Sequence, residues 1–559
     1  MKFLDARRLT GPNVLWNKSG AVFDIACTTE EADQLLPFCE TQIRRMLNAV
    51  GWSDETICHL RLSGGVSVAF SAPIDALYAA SAINEWVWSC CEAEFGDGER
   101  CDFEAKAQEF RDAIATEINP TLLALNVAAF EHGVGFLWDD DEVSVGHGSN
   151  SEIWPFRELP DAQTLDWSKY RDVPVGIVTG TNGKTTTVRI AKHLLQSVGR
   201  TVGLSCTDWV SVNDEIIDRD DWSGPGGARM ALRQDKVDVA ILETARGGLL
   251  RRGLGVEQAD VALITNIAED HLGDFGSQNV TELLEIKWVI SHAVAESGIL
   301  ILNADDELLV RKSAEYSGRI VWFSLSNDNP IVAEHVAAGG VAFVYSQGDL
   351  LRVAGVDTQT ICSAKDIPIT LEAAAEHNIA NALGAAALSE QLGLSLASIA
   401  NGLKTMTQAS NPGRSNVFEI DGFKVLLDFA HNPEAMQALF NMAKALPAKR
   451  RVLCFGQAGD RTDQQIRELA RSAWSIGLEM AIISELGSYA RGRGPGEVVG
   501  IIRDELLAAG AREDQIQHHQ EEHESFAAAL DWADSGDLVV ILDLGRVSDI
   551  QETLTSRTQ

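Results

Sequence analysis

The chain has 559 residues, 45% of them hydrophobic, and carries a formal net charge of −35 with a sequence pI near 4.7. This acidity argues against nucleic acid or an anionic membrane as a main partner, and it requires local basic groups or metal to hold any anionic substrate. The sequence has no apolar run of about 18 residues, no basic-then-apolar N-terminus and no Cys-x-x-Cys, so we expect a cytoplasmic protein without a membrane span or signal peptide.

At about 150 residues per domain, the length predicts three or four domains. The first, residues 1–172, is predicted to be an α+β domain. Its first helix is marked by Thr28-Thr-Glu-Glu31, continues through the apolar Leu35, Ile43 and Leu47, and ends at Gly51. Further helices are predicted near residues 73–94, 103–116 and 120–132.

An acidic run, residues 139–142, lies between two short predicted strands, 136–138 and 143–145. We interpret it as a solvated hairpin turn, with cation binding as the alternative. The polar, proline-containing segment 155–172 that follows is predicted to be a linker.

The next stretch, Gly176-Ile-Val-Thr-Gly-Thr-Asn-Gly-Lys-Thr-Thr-Thr187, joins a predicted strand to a predicted helix that ends at Gly199. In such a turn, inward-facing N–H groups and the helix N-terminus bind phosphates. Lys184 can neutralise phosphate oxygens, and the Thr185 hydroxyl can ligate Mg²⁺. Val178 stands where the usual pattern has a glycine, so the loop is a variant. An ordinary strand-to-helix turn is the alternative.

Strands and helices alternate over residues 173–408, which predicts a mainly parallel α/β sheet. Three predicted strands end in polar groups, namely Glu243, Thr265-Asn266 and Asn303-Ala-Asp-Asp306. Ligands of such sheets lie beyond the carboxyl ends of the strands, so these groups indicate a site. Residues 325–370 are predicted to be a β-rich insertion.

The pattern restarts in residues 409–559, which are predicted to form a second, smaller α/β domain. One predicted strand there, 424–427, ends at Asp428, and another, 451–455, precedes the glycine loop 456–461. Arg414, which follows Pro-Gly near the edge of this sheet, can clamp a polyphosphate.

Several residues of the central domain are candidates for chemistry. Glu243 ends a predicted strand and, placed across from Lys184 and Thr185, would complete an Mg²⁺ site, with a salt bridge to Arg246 as the alternative. His271 follows another strand end and is predicted to be a metal ligand rather than a structural histidine. The helical spacing around Lys287 predicts only a solvated lysine.

Five motifs occur in an order that resembles the Mur ligases, ATP-dependent amide-forming enzymes that include the folylpolyglutamate synthases. They are Gly180-Thr-Asn-Gly-Lys-Thr-Thr186, Thr265-Asn266 with Asp270-His271, His377-Asn-Ile-Ala-Asn381, Pro412-Gly-Arg414 and Asp428-Phe-Ala-His-Asn-Pro433. The resemblance implies a central P-loop NTPase domain and a Rossmann-like C-terminal domain.

Within that family, residues from about 173 to 550 most resemble the C-terminal ligase half of cyanophycin synthetases. The motifs that indicate this are Ser223-Gly-Pro-Gly-Gly-Ala-Arg229, Glu243-Thr-Ala-Arg-Gly-Gly248 with Leu250-Arg-Arg-Gly253, Asn303-Ala-Asp-Asp306, and Gly492-Arg493 with Gly496-Glu497. The start, Leu9-Thr-Gly-Pro-Asn13, resembles the N-terminal domain of the same enzymes. Those enzymes carry an ATP-grasp domain between these two parts, and only a short segment separates the parts here. We therefore expect that this chain does not make the full polymer unaided.

The resemblance implies a set of ATP-binding residues, a metal set and a substrate set. ATP would contact Gly180, Thr181, Asn182, Gly183, Lys184, Thr185, Thr186, Asn381, Arg414, Asp428 and His431. Mg²⁺ ions would be held by Thr185, Glu243, His271 and Lys287, and Lys287 would be carbamylated by CO₂. The catalytic residues would be Lys184, Glu243, His271 and Lys287, and the substrate would contact Arg246, Arg493 and Glu497.

The expected activity is ATP-dependent joining of an amino acid amine to a carboxylate, which the resemblance suggests is aspartate-containing, through an acyl phosphate. The resemblance also implies a homo-oligomer and leaves room for a separate ATP-grasp partner. Two alternatives remain, a non-catalytic accessory partner of such an enzyme and another P-loop nucleotide hydrolase or kinase.

Overall fold

The computed structural model describes residues 1–99, 102–270, 278–430, 432–542, 550 and 554. Its strands form four sheets. Two sheets lie within residues 1–172, the largest lies within 173–408, and the last lies within 409–559. The exact domain boundaries stay a prediction, and each of the four sheets lies within a single predicted domain.

The first sheet has four antiparallel strands in the order β1-β2-β4-β3. Helices packed on one face bury an apolar cluster that includes Phe23, Phe70 and Trp86. The elements of this region are β1 (Lys2–Leu9), β2 (Gly20–Ala26), α1 (Thr29–Val50), β3 (Ile57–Leu62), β4 (Gly65–Ser71), α2 (Leu77–Phe95), α3 (Phe103–Glu117) and α4 (Pro120–His132).

Helix α1 begins and ends as the sequence predicts. The Thr28 hydroxyl accepts a hydrogen bond from Glu31 N, and the Glu31 carboxylate accepts one from Thr28 N, which closes a capping box. Gly51 ends the helix in the left-handed region, with φ of 88°. Leu35, Ile43 and Leu47 are fully buried between these caps, so the predicted apolar face is the one that packs.

A small antiparallel sheet follows, formed by β5 (Phe136–Trp138), β6 (Glu142–Val145) and β7 (Glu152–Pro155). The predicted linker after it is packed rather than free. The Trp167 ring stacks on His132 at a centroid distance of 4.8 Å, and the buried Tyr170 donates a hydrogen bond to Glu152. These contacts hold the segment against α4 and β7.

The central sheet has eleven strands in the order β11-β10-β9-β12-β8-β13-β14-β15-β16-β17-β18. Strands β9, β12, β8, β13, β14, β15 and β16 run parallel. The strands are β8 (Val175–Thr179), β9 (Val202–Ser205), β10 (Val210–Val212), β11 (Glu215–Asp218), β12 (Val239–Glu243), β13 (Ala259–Ile264), β14 (Val294–Asn303), β15 (Arg319–Ser324), β16 (Val341–Ser346), β17 (Asp349–Ala354) and β18 (Asp357–Ser363).

Helices cover both faces of this sheet, as expected for a parallel sheet. One face packs on α5 (Lys184–Ser197), α11 (Glu376–Gln391) and α12 (Leu396–Thr405). The other packs on α6 (Pro225–Leu232), α7 (Arg246–Arg251), α8 (Val280–Trp288), α9 (Glu307–Ser313) and α10 (Pro330–Ala337). The segment 325–370 is β-rich as predicted, because it contains β16, β17 and β18, and these strands extend the central sheet beyond β15; the segment also contains α10.

The C-terminal sheet has six strands in the order β19-β20-β24-β21-β22-β23, and all but β19 run parallel. Its strands are β19 (Asn416–Ile420), β20 (Phe423–Asp428), β21 (Arg451–Phe455), β22 (Met480–Ser484), β23 (Ile516–His519) and β24 (Leu538–Leu542). Its helices are α13 (Pro433–Ala445), α14 (Asp463–Trp474), α15 (Glu497–Ala508) and α16 (Glu522–Trp532).

The N-terminal domain contacts α7 of the central domain through Arg7. The buried Arg7 guanidinium pairs with Asp24 and donates a hydrogen bond to the carbonyl of Leu250, at 2.9 Å. Asp24 also accepts a hydrogen bond from Ser67, at 2.6 Å. The Arg7–Asp24 ion pair lies within the N-terminal domain, and the hydrogen bond from Arg7 to Leu250 links that pair to the C-terminal end of α7 in the central domain.

The acidic run 139–142 forms the predicted hairpin turn between β5 and β6, with Asp140, Asp141 and Glu142 exposed, and it is also a second interdomain contact. Asp139 pairs with Arg233 and lies 3.4 Å from Arg229, which belongs to α6. Asp140 accepts two hydrogen bonds from Arg8, at 2.8 and 3.0 Å. The cations that the run binds are therefore arginine side chains of the same chain.

Within the described residues, no single helix is long and apolar enough to cross a membrane. Helices α3 and α4 pass the same length and composition test only when taken together, with a bend of 65° between them.

The buried ion pair predicts a large effect of one substitution. Asp24→Asn leaves the Arg7 charge without its buried carboxylate, and we expect it to lower the free energy of unfolding by about 3 kcal/mol. Asp33→Asn, which breaks an exposed ion pair with Arg61, is the matched control, and its expected cost is below about 1 kcal/mol. Urea denaturation followed by circular dichroism measures both, and equal effects of the two substitutions would contradict the prediction.

Candidate nucleotide and metal site

The glycine loop between β8 and α5 is crowded by groups from neighbouring elements. Gly180 and Gly183 have φ of 142° and 82°, in the region that favours glycine. A Cβ at Gly180 would lie 1.8 Å from Thr265 Oγ1, and one at Gly183 would lie 2.2 Å from Asn381 Oδ1. The loop therefore requires glycine at both positions, and Asn381 packs directly against it.

The end of β13 fixes the loop backbone. Thr181 N and Asn182 N both donate to Asn266, at 2.8 and 2.9 Å, and Thr265 Oγ1 donates to Asn182 O at 2.6 Å. The Thr181 hydroxyl and Ala268 also exchange hydrogen bonds. Thr265 and Asn266, chosen from the sequence as a strand end, thus hold the predicted phosphate loop in shape.

The Asn182 side chain bonds across to the C-terminal domain. It donates to Asn432 Oδ1 at 3.3 Å and to Glu434 at 2.8 Å, and it accepts from Asn432 Nδ2 at 2.8 Å. Asn432 is fully buried and also caps α13 by accepting from Ala435 N. Burial raises the pKa of Glu434, while the bond from Asn182 lowers it. The loop is therefore held between two domains.

Three oxygen-bearing side chains converge at the carboxyl ends of β12 and β9. Glu243 is 1% exposed and accepts from the Thr207 hydroxyl at 2.7 Å and from the Thr185 hydroxyl at 3.2 Å. Carboxylate and hydroxyl oxygens are the hard ligands that Mg²⁺ prefers. This donor set fits a magnesium ion, with Thr185 and Glu243 as predicted and Thr207 in addition.

Two lysines lie beside the glycine loop. Lys184 Nζ donates to Thr181 O at 2.8 Å, and Lys287 Nζ donates to Gly180 O at 2.7 Å. Lys287 is 4% exposed, so its prediction from spacing as a solvated lysine is wrong. Burial, and then the nearby charge of Lys184, lower the pKa of Lys287 well below its ordinary value.

Arg414 and Asp428 approach the same region from the C-terminal domain. Arg414 lies over the Phe429 ring, with 5.1 Å from its guanidinium carbon to the ring centroid. Asp428 accepts hydrogen bonds from Ser415 N and Oγ, and Ser415 Oγ lies 3.0 Å from His377 Nε2. Burial lowers the pKa of His377, which favours its neutral ring.

A cavity of about 360 Å³ lies between the central-domain segment at Asp270 and helices α13 and α14. Its apolar lining includes Met436, Phe440 and Leu469. Arg461 also lines it, and Arg461 Nε is buried with no hydrogen-bond partner among the residues that the structure describes. The carboxylates of Glu269, Asp270, Asp460 and Glu468 line it as well, so the cavity can take a small molecule that presents both a cationic and an anionic group.

Arg493 and Glu497 lie behind this cavity rather than among its lining residues. Arg493 donates to the carbonyls of Gly459 and Arg461, at 2.9 and 2.7 Å, and pairs with Asp463 and Glu497. These contacts support the loop that carries Arg461. Direct contact of Arg493 and Glu497 with a substrate stays a prediction.

The other predicted site residues have different outcomes. His271 and His431 lie outside the described residues. Arg246 begins α7, and its charge acts on Lys287, so it lies on the same side of the sheet end as the metal donor set. Its predicted role in substrate binding stays a prediction.

Sequence reasoning missed Thr207, Asn432 and Arg189. Thr207 follows β9, so the rule that selected Glu243, a polar group after a strand end, would have found it. Asn432 stands before Pro433, a helix-start signal. No sequence signal marks Arg189, which looks like an ordinary helix residue and is 2% exposed.

Two family profiles match the chain, the Mur ligase middle domain over residues 178–389 and the Mur ligase glutamate ligase domain over residues 413–542. The chain belongs to the Mur ligase family. It is 38% identical over 411 residues to a cyanophycin synthetase from Geminocystis herdmanii and 35% identical over 411 residues to one from Synechocystis sp.. Each alignment covers 72% of this chain and 46% of the relative, so the chain spans less than half the length of these cyanophycin synthetases.

Other Mur ligase relatives are more distant. A UDP-N-acetylmuramoyl-L-alanyl-D-glutamate–2,6-diaminopimelate ligase from Clostridium botulinum is 26% identical over 381 residues, which cover 66% of this chain and 72% of that enzyme. Among solved structures, E. coli FolC in complex with ADP superposes with a TM-score of 0.51 and 19% identity, over 69% of this chain and 90% of FolC. This likeness confirms the predicted Mur ligase-like fold.

The crowding of the glycine loop predicts the effect of one added methyl group. Gly183→Ala places a Cβ against Asn381 and forces a positive φ on alanine, so we expect affinity for Mg-ADP to fall at least about tenfold. Gly199→Ala, at φ of 87° with nothing within 4 Å of the added Cβ, carries the same backbone strain without the contact. We expect affinity within about twofold of the parent for this control, because it lies outside the loop. Isothermal titration calorimetry distinguishes the two, and equal losses would contradict the prediction.

Proposed function

We propose that the chain is an ATP-dependent ligase that joins an amine to a carboxylate through an acyl phosphate and releases ADP and phosphate. The observation that supports this most is the bridge from Asn182 in the phosphate loop to Asn432 and Glu434. A nucleotide hydrolase needs only the phosphate loop, whereas a ligase must bring a second substrate to the activated carboxylate under a closed C-terminal domain.

The nucleotide would be held from both domains. The loop from Gly180 to Thr186 would surround the phosphates, and Lys184 would neutralise their charge. Asn381 would contact ATP from α11, and Arg414, Asp428 and His431 would contact it from the C-terminal domain.

Thr185 and Glu243 would hold one Mg²⁺, with Thr207 beside them, and His271 and Lys287 would hold a second. Bound there, magnesium would supply Lewis-acid stabilisation of the phosphate charge. Lys287 would take up CO₂ to become a carbamate, because burial favours the neutral amine, whose lone pair attacks the carbon of CO₂ before the nitrogen loses a proton.

The chemistry would proceed in two displacements. A substrate carboxylate oxygen attacks the γ-phosphorus of ATP, ADP leaves, and an acyl phosphate forms. Lys184 is placed to stabilise the charge on the transferring phosphoryl group. An amine then attacks the acyl carbon and phosphate leaves, while the Asn182–Asn432 contact keeps the domains together and limits hydrolysis by water.

The cavity between Asp270 and α13 and α14 is our proposed site for the amine substrate. Its volume suits an amino acid, and Arg461 can bind the carboxylate of that amino acid. Arg493 and Glu497 would act by supporting the Arg461 loop, and Arg246 would bind the acid substrate. An aspartate-containing acid, a homo-oligomer and a separate ATP-grasp partner remain expectations from the resemblance to cyanophycin synthetases.

The proposed function is tested by mixing the protein with Mg-ATP, bicarbonate and amino acids, alone and with aspartate-containing acceptors. We expect phosphate release coupled to a product whose mass equals both reactants less one water, detected by mass spectrometry. Lys184→Ala should abolish both signals, because it removes the phosphate-neutralising charge, and Lys236→Ala, an exposed lysine, should leave both unchanged.

Other outcomes would contradict the proposal in different ways. ATP turnover without any coupled product would favour the nucleotide hydrolase. Absence of both turnover and ATP binding would favour a non-catalytic accessory protein.

A carbamate on Lys287 predicts a dependence on CO₂. We expect ¹³C-bicarbonate to give a protein carbamate signal in ¹³C NMR that is absent from Lys287→Met, and ligase activity to fall when CO₂ is stripped from the buffer. Lys236→Met, at an exposed lysine, should keep the signal. A signal that survives in Lys287→Met would assign the carbamate to another amine.

A further inference from the structure

Arg189 lies on α5, about one turn beyond the phosphate loop, and is among the largest fully buried side chains. A charged group without solvent must be compensated by several partners, or its burial costs several kcal/mol. Burial lowers the pKa of Arg189, and the nearby Asp208 carboxylate opposes that shift. The cost of burying this cation indicates that its contacts serve more than packing.

The partners of Arg189 come from two different parts of the chain. Nη2 donates to Asp208, in the segment after β9, and the guanidinium stacks over the Trp209 ring at 4.1 Å. Nη1 donates to Pro412 O at 3.0 Å and to Asn411 Oδ1 at 3.3 Å. One guanidinium therefore joins the phosphate-loop helix to the connection between the central and C-terminal domains.

That connection is held at further points. Asn411 Nδ2 donates to the Thr186 hydroxyl at 3.3 Å. The Asn416 side chain accepts from Gly413 N at 2.7 Å and donates to Asn411 O at 3.0 Å. The backbone that carries Arg414 is thus fixed relative to the phosphate loop.

Asp208 faces a second guanidinium. Its Oδ2 atom, which accepts from Arg189, lies 3.8 Å from Arg414 Nη2. This distance is at the outer limit of an ion pair, so the attraction can orient Arg414 while leaving its donors available to a phosphate. Asp208 itself is 40% exposed and so lies between a buried anchor and the open site.

We propose that Arg189 and Asp208 are positioning residues for Arg414, holding its guanidinium toward the bound nucleotide. A free arginine side chain loses rotamer entropy when a ligand immobilises it, and an arginine that is already oriented loses less on binding. The inference rests on the proposed function, since it takes Arg414 as a nucleotide contact.

A double-mutant cycle between Asp208 and Arg414 tests the inference with Mg-ADP affinity as its readout. Asp208→Asn keeps the shape of the side chain and removes its charge, and we expect it to weaken Mg-ADP binding about tenfold. In an Arg414→Gln background the same substitution should have almost no further effect, because the residue through which it acts is gone. Isothermal titration calorimetry measures all four affinities.

A matched control is a carboxylate that contacts the same helix. Asp214, an exposed carboxylate, pairs with Lys192 of α5. Asp214→Asn makes the same chemical change as Asp208→Asn away from Arg414, and we expect Mg-ADP affinity within about twofold of the parent. Arg189→Lys keeps the charge but cannot bond both Asp208 and Pro412, so it should weaken binding about as much as Asp208→Asn.

Three results would overturn the inference. If Asp208→Asn weakens binding equally in both backgrounds, Asp208 acts independently of Arg414. If Arg414→Gln weakens binding and Asp208→Asn does not, the positioning role fails while the proposed nucleotide site stands. If Arg414→Gln has no effect, the nucleotide contact assigned to Arg414 in the proposed function fails, and the positioning role with it. Because Asp208 is partly exposed, Asp208→Asn is expected to fold even if Arg189→Lys does not.

Discussion

The backbone of the glycine loop is the constraint on which the rest of the site depends. Gly180 and Gly183 adopt conformations that other residues rarely reach, and the groups around them leave no space for a side chain. The loop keeps this shape because Thr265 and Asn266 bind its backbone and Asn432 binds the Asn182 side chain. The geometry of the loop therefore depends both on the end of β13 in the central domain and on the start of α13 in the C-terminal domain.

The distribution of charge follows from the same arrangement. The whole chain carries a net charge of −35, which would repel a nucleotide at long range. Lys184 at the loop and Arg414 near it supply local positive charge. In the acidic run, Asp139 and Glu142 pair with Arg233 of the central domain, and Asp140 pairs with Arg8. The local charge at the proposed phosphate site therefore differs from the net negative charge of the whole chain.

The residues selected from the sequence as strand ends show which parts of the site could be predicted from the sequence alone. The apolar strand, the glycines and the helix start at Lys184 are local features, and the structure has them where the pattern predicts. Glu243 was found because a parallel sheet brings the carboxyl ends of its strands to one edge. Lys287 was misjudged from spacing, because its burial depends on a helix packing against a loop about one hundred residues away.

The sequence by itself determined the elements, the parallel sheets and the family, since periodicity, caps and glycine turns act over a few residues. Only the tertiary structure decided the partners of Arg189, the Asn182–Asn432 bridge and the pairing of the acidic run with arginines. Each of these contacts joins residues far apart in the chain, and their formation depends on how sheets and domains pack. Polar side chains of that kind carry no periodic signal, because a buried hydrogen bond depends on one specific partner residue and not on a regular spacing of residues along the chain.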